Sequence, residues 1–191
     1  MKRILNLRHS MKNPGGGDVC LSKDGQEFAV EIGRRMREFY TFEVLFGSDQ
    51  IRTTQTGILM LSGMGQSVDR ILQDPDLCGT TLKEWKSVVD KDAVLPQGVT
   101  LLGSVLQNSP DFYNRESQRL SAVYRKHFDS MDEGQTALEI GHSPIIEMAV
   151  VTLLGDDPND HPALGECSGY ELSLHEGVFY APYRLFLPGP S

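Results

Sequence analysis

Several things are scarce in this sequence, and each scarcity removes a class of explanation. Only three cysteines occur among 191 residues, Cys20, Cys78 and Cys167. They are widely spaced with no Cys-x-x-Cys pair, so they supply neither a disulfide framework nor a zinc site, and their usage fits a reducing compartment. Lys and Arg together number 18 against 26 Asp and Glu, for a net charge of −8. Nucleic-acid backbones are held by clustered cations, so no nucleic-acid partner is expected. No run approaches the ~20 apolar residues of a membrane span, so no membrane partner is expected either. Met1 to Leu7 offers a short, Asn-interrupted apolar stretch where a secretory leader needs roughly 7–15 such residues. Cytoplasmic is the expected location. No internal repeat, charge block or low-complexity tract is present.

What remains is an ordinary globular composition, 39% hydrophobic and 23% charged, of a length that suits a single domain over residues 1–191. Ile4-Leu5-Asn6-Leu7 reads as a buried strand. Residues 11–20, with Gly15-Gly16-Gly17, read as a surface loop. Ser22 can cap a helix running to about Phe39, with Phe28, Ile32, Met36 and Phe39 on one face. Phe42 to Phe46 is a second strand, followed by a helix over Arg52 to Leu61. Residues 63–110 are punctuated by Gly, Pro and Asp and yield no clear element. Glu116 to Met131 is a helix with Leu120, Val123, Tyr124 and Phe128 on a stripe. Thr136 to Ile140 is a strand, and Ile145 to Leu154 a helix with Pro144 at its first turn. Tyr170 to Leu174 and Val178 to Leu187 form a closing strand pair. This alternation predicts a three-layer α/β/α sandwich with a mostly parallel central sheet, and reactive groups at the C-terminal strand ends.

Three such ends carry chemistry: Leu7-Arg8-His9-Ser10, Ser48-Asp49-Gln50-Ile51-Arg52-Thr53-Thr54-Gln55-Thr56, and Glu139-Ile140-Gly141-His142-Ser143-Pro144. Singly, each has a bland reading as a solvated or hydrogen-bonded residue. Jointly, they set two arginines and two histidines along one sheet edge.

Here the sequence resembles the histidine phosphatase (phosphoglycerate-mutase-like) superfamily. That family's first strand ends in Arg-His-Gly or Arg-His-Ala, and a later Ser-Pro-Leu-x-Arg-Ala-x-Gln-Thr-Ala segment is matched by Ser48, Arg52, Gln55 and Thr56. Leu21-Ser22-x-x-Gly25-x-x-x-Ala29 is similar to its helix start. Gly141-His142-x-Pro144-x-Ile146-Glu147, followed by Leu153-Leu154-Gly155, is most similar to the short SixA-like phosphohistidine phosphatase branch. The resemblance implies a metal-independent phosphatase acting on a phosphorylated small molecule or phosphoprotein, with no cofactor. Arg8 and Arg52 would bind phosphoryl oxygens as planar forks, each contact contributing roughly 1.5–3 kcal/mol. His9 would attack phosphorus, its other nitrogen donating to a backbone carbonyl. His142 would donate to the equatorial oxygens.

The sequence departs from the family at Ser10 and at Ser143, both small and polar, both expected to line the phosphate site, with Ser10 able to add a hydroxyl donor. Asn13 lies out of register as a phosphate ligand. The family's leaving-group acid, a Glu just before a Gly, has no counterpart in Leu72-Gln73-Asp74-Pro75-Asp76-Leu77-Cys78-Gly79. Asp76 and Glu84 are the candidates, and neither fits the spacing. SixA-like members typically lack this acid, which favours leaving groups of low pKa. His127, His161 and His175 show no metal spacing and read as surface or structural residues. Trp85 reads as core, Asp156 to Asp160 as a solvated loop, and Glu147 has no assigned role. Two alternatives stand beside the phosphatase: a phosphate- or phosphoprotein-binding module without turnover, and a phosphosugar mutase, less favoured because such mutases are longer.

Overall fold

The computed structural model describes residues 1–15, 19–78, 82–88 and 94–185. Gly16, Gly17 and Leu187, assigned above to a loop and a strand, lie outside them. Six strands form one sheet: β1 (Lys2–Arg8), β2 (Val44–Gly47), β3 (Arg70–Gln73), β4 (Thr136–Gly141), β5 (Gly169–His175) and β6 (Val178–Leu185). Their order across the sheet is β3-β2-β4-β1-β5-β6. The first four are mutually parallel; β5 runs antiparallel to β1, and β6 antiparallel to β5.

The helices are α1 (Lys23–Met36), α2 (Ile51–Met64), α3 (Leu82–Val88), α4 (Leu101–Asn108), α5 (Pro110–Asp129) and α6 (Ile145–Leu154). Alternate residues of the parallel strands feed two cores. Leu5, Leu7, Leu45, Leu138 and Ile140 pack with Phe28, Ile32 and Met60 of α1 and α2. Ile4, Val44, Phe46 and Ala137 pack with Leu120, Tyr124 and Phe128 of α5 and Ile146 and Met148 of α6. Strands apolar on both faces are what a helix-covered parallel sheet requires, and the expected three-layer sandwich is what forms.

Ser22 caps α1, its hydroxyl accepting the Gly25 amide at 3.0 Å. Helices α1 and α2 then approach so closely that a Cβ on Gly33 would stand 2.1 Å from the Met60 carbonyl oxygen, and one on Gly63 2.1 Å from that of Val30. Phe39 is the exception to the predicted face. The helix ends at Met36, Tyr40 turns in to stack on Phe42, and Phe39 is left 77% exposed.

The stretch that yielded no element holds β3, a 3-10 turn at Pro75–Cys78, α3 and α4. All four β3 residues are exposed at the sheet edge, so no burial pattern marks them. Helix α5 starts at Pro110, six residues before the expected Glu116, with Phe112 and Tyr113 buried in its added turns. Trp85 packs in the core, edge-on to Phe112. His127 and His161 are buried rather than superficial, while His175 is exposed.

Candidate active site

The topology delivers the chemistry to one place. Strands β1, β4 and β2 are adjacent and parallel, with Arg8 in register with Gly141 and Gly47 with Ile140. The residues that follow each strand therefore emerge at one edge. The His9 amide donates to the Gly141 carbonyl at 3.0 Å, tying the first motif to the third. The rings of His9 and His142 stand edge to face, centroids 5.2 Å apart. Arg52 enters from the first turn of α2, its Nη2 3.5 Å from His142 Nδ1 and its Nη1 donating to Gln50 at 2.9 Å.

His9 is fixed by its Nδ1, which lies 2.6 Å from the Ser10 carbonyl oxygen. A carbonyl only accepts, so Nδ1 carries the proton and Nε2 keeps its lone pair. Burial, with the Arg52 and Arg8 charges adding to it, outweighs that hydrogen bond and pulls the imidazole down to about 4. The ring is neutral at pH 7.

His142 Nε2 lies 2.9 Å from the Ser48 hydroxyl and 3.4 Å from Cys78 Sγ. Ser48 already accepts the Gln50 amide, and the Thr53 hydroxyl can give its proton to the Gln50 carbonyl at 2.7 Å. Arg52 has only donors to offer, so its contact leaves Nδ1 the acceptor and the ring proton on Nε2, facing the Ser48 oxygen, whose own proton can go to Thr53 Oγ1.

Around these groups the remaining motif residues act as braces. Gln55 accepts the Leu21 amide, and Thr56 accepts the Ser10 amide while donating to the Arg52 carbonyl. Two sequence expectations change. The Ser10 hydroxyl donates to the Gly25 carbonyl at 2.7 Å, and the Ser143 hydroxyl donates to Glu147. Both protons point into the scaffold, so neither hydroxyl offers a donor to a ligand. Asn13 donates to the Leu21 carbonyl rather than reaching the site.

Neither candidate acid is brought to the histidines. Asp76 is exposed and lends its carbonyl to Arg119, and Glu84 pairs with Arg115. The member of that segment that does arrive is Cys78, whose thiol burial pushes up to about 11. Asp74 puts it there. One of its oxygens accepts the Asp76 amide at the start of the Pro75–Cys78 turn; the other accepts from Lys126 at 2.9 Å and lies 3.1 Å from His127. His127 in turn lies 2.6 Å from Glu139 and stacks on Phe46. Burial alone would lower this imidazole, but Glu139 and Asp74 more than offset it and raise it.

Sequence reasoning also missed the role of Glu147 and of residues 161–168. Glu147 is fully buried on α6; its Oε1 accepts from Ser143 and from the Leu164 amide at 2.8 Å. Burial raises its carboxyl above the usual range. The Leu164 carbonyl accepts from Arg8 Nη1, and Glu166 lies 3.1 Å from Arg8 Nη2. Only the position of Glu147, four residues past the Ser143 it binds, could have signalled any of this. A shallow apolar hollow of about 400 Å³ between α2 and β3, lined by Ile51, Ile58 and Gln73 among others, includes none of the histidines or arginines.

The sheet order, with helices on both faces, is that of a phosphoglycerate-mutase-like fold. Comparison with solved structures gives particular likenesses. Phosphoglycerate mutase from Bacillus anthracis superposes over 96% of this chain and 92% of its own, with a TM-score of 0.70 and 18% identity. Mycobacterial glucosyl-3-phosphoglycerate phosphatase covers 95% and 97%, with 0.64 and 18%. Phosphoserine phosphatase from Entamoeba histolytica covers 98% and 98%, with 0.61 and 16%. SixA of Agrobacterium tumefaciens is similar at 0.60 and 14% identity, over 96% and 97%. No family model and no curated protein sequence matches the chain. At these identities the likeness speaks for the fold. Among the described residues, no helix is long and apolar enough to cross a membrane.

Proposed function

We propose that this chain is a cytoplasmic histidine phosphatase that hydrolyses a phosphate monoester or phosphohistidine through a phosphoryl group carried on His9. The observation that carries the reading is the state of His9: neutral, its tautomer fixed by the Ser10 carbonyl, set edge-on to a second histidine and felt by two guanidinium charges.

The chemistry follows from those groups. Arg52 Nη2 is a charged donor set beside the His142 ring at the strand ends, and a guanidinium fixed there suits an oxyanion. Arg8 adds a second positive charge. With the phosphoryl oxygens held, the His9 Nε2 lone pair attacks phosphorus and the bond to the leaving oxygen breaks, its electrons departing with that oxygen. Water then attacks phosphorus, the phosphorus–nitrogen bond breaks, inorganic phosphate leaves and His9 is neutral again. Neither Asp76 nor Glu84 is placed to protonate the leaving group, so the reading favours aryl phosphates, acyl phosphates and phosphohistidine over alkyl phosphates. The substrate is then a phosphorylated small molecule or a phosphoprotein.

Incubation with p-nitrophenyl phosphate tests this directly. Turnover should be abolished in His9→Ala, and acid-labile, base-stable phosphate should be trapped on wild-type protein alone. Wild-type turnover that survives in His9→Ala would sink the nucleophile assignment. Phosphate binding with no turnover would leave a binding module.

A further inference from the structure

Arg8, the guanidinium that the proposed reading gives to the phosphoryl group, already has an anionic partner. Its Nη2 lies 3.1 Å from Glu166 Oε1, and its Nη1 donates to the Leu164 carbonyl at 2.5 Å. Both partners belong to the segment between the Pro158–Asp160 turn and β5. That segment is fastened to the strand end itself, because the Arg8 amide donates to the Ser168 carbonyl at 2.9 Å and the Cys167 amide to the Arg8 carbonyl at 3.0 Å. Immediately after Glu166, buried Cys167 adopts φ 56°, a left-handed conformation that non-glycine residues keep only where the surroundings enforce it. The carboxylate is therefore built against Arg8 rather than resting there by chance. Its field also reaches His9, in the sense opposite to that of the two arginines.

We propose that Glu166 is an internal counter-ion of the phosphoryl site, weakening its hold on dianionic phosphate groups and so hastening release of the phosphate product. The inference rests on the phosphate reading above and names a determinant of which phosphoryl charge that site favours. Two guanidinium groups would match a phosphoryl dianion; the Glu166 carboxylate beside Arg8 offsets one of those two charges. Any anion bound at Arg8 is repelled by that carboxylate, a dianion about twice as strongly as a monoanion. The other charged groups facing Arg8 and His9 are Arg52 from α2 and Glu147 from α6, and Asp49 lies by Cys78. Glu147 is committed to Ser143 and Leu164, which leaves Glu166, 36% exposed, as the carboxylate paired with Arg8 at the solvent side.

Titration calorimetry with inorganic phosphate, on wild type, Glu166→Gln and Glu166→Ala, tests the proposal. At pH 8 both variants should bind phosphate about fivefold more tightly or better. At pH 5.5, where the monoanion dominates, the gain should shrink. Variants that bind phosphate at pH 8 no better than wild type overturn the counter-ion. So does a Glu166→Gln enzyme that releases one equivalent of nitrophenol from p-nitrophenyl phosphate and then stalls, since that would make Glu166 the base for water. If wild type and variants alike neither bind phosphate nor turn over, the phosphate reading itself has failed, a result distinct from either.

Discussion

A histidine serves as a nucleophile only while unprotonated, and in this chain the residue's surroundings decide when that holds. Burial beside two guanidinium groups brings His9 to about 4, so the acid limb of kcat/KM on an aryl phosphate, which reports free-enzyme groups, should fall near pH 4 rather than near 6.5. A limb at 6.5 would mean that His9 is not the titrating nucleophile. At this scale the sequence was informative wherever function sits in short motifs. Arg8, His9, Arg52 and His142 could be placed at one sheet edge from the sequence because each lies at or soon after the C-terminal end of a strand. Ser10 and Ser143 were misread because a hydroxyl's direction depends on partners far along the chain, here the Gly25 carbonyl, or on a side chain one helical turn away, Glu147. Glu166 and Cys78 were invisible for a related reason: neither sits in a recognisable pattern, and each matters only through the residue it meets in space, Arg8 or His142.

At the scale of elements, legibility tracked burial. Strand β1 and helix α6 were found because nearly continuous apolar runs stand between clear punctuation, and the Ile145–Leu154 boundaries were met at both ends. Strand β3 was missed because an exposed edge strand leaves no alternation to read. The early turns of α5 were missed because Ser109-Pro110 resembles a loop, although Pro is at home in a first helical turn. Helices α1 and α2 meet backbone to backbone at Gly33 and Gly63. Gly33→Ala or Gly63→Ala should each cost about 1–3 kcal/mol, because the new methyl group would press on a carbonyl that cannot move alone. Urea unfolding would register this as a lower midpoint at unchanged slope, and an unshifted midpoint would mean that the helices can part without penalty.

For the molecule as a whole, two buried imidazoles bend stability against pH in opposite directions. Burial holds His9 in the folded state at about 4, well below its free value of 6.5. Between pH 6.5 and 4 the unfolded chain therefore binds a proton that the native chain refuses, and stability should fall by about 3 kcal/mol as pH drops through that window. His127 is raised, so its contribution is complete below 6.5 and is lost as pH climbs through its folded value. Denaturant unfolding of wild type and His9→Asn at pH 4.5 and 6.5 separates them: the variant should lose most of the acid slope, and an identical slope would remove His9 as its source. The sheet order has a temporal side as well. Strand β1 is made before both of its neighbours in the sheet, which come from residues 136–141 and 169–175. Its apolar Ile4, Leu5 and Leu7 must wait, unsheltered, until those distant strands are synthesised, so a sticky segment persists on the nascent polypeptide and the histidine–arginine cluster at the strand ends is assembled late in folding.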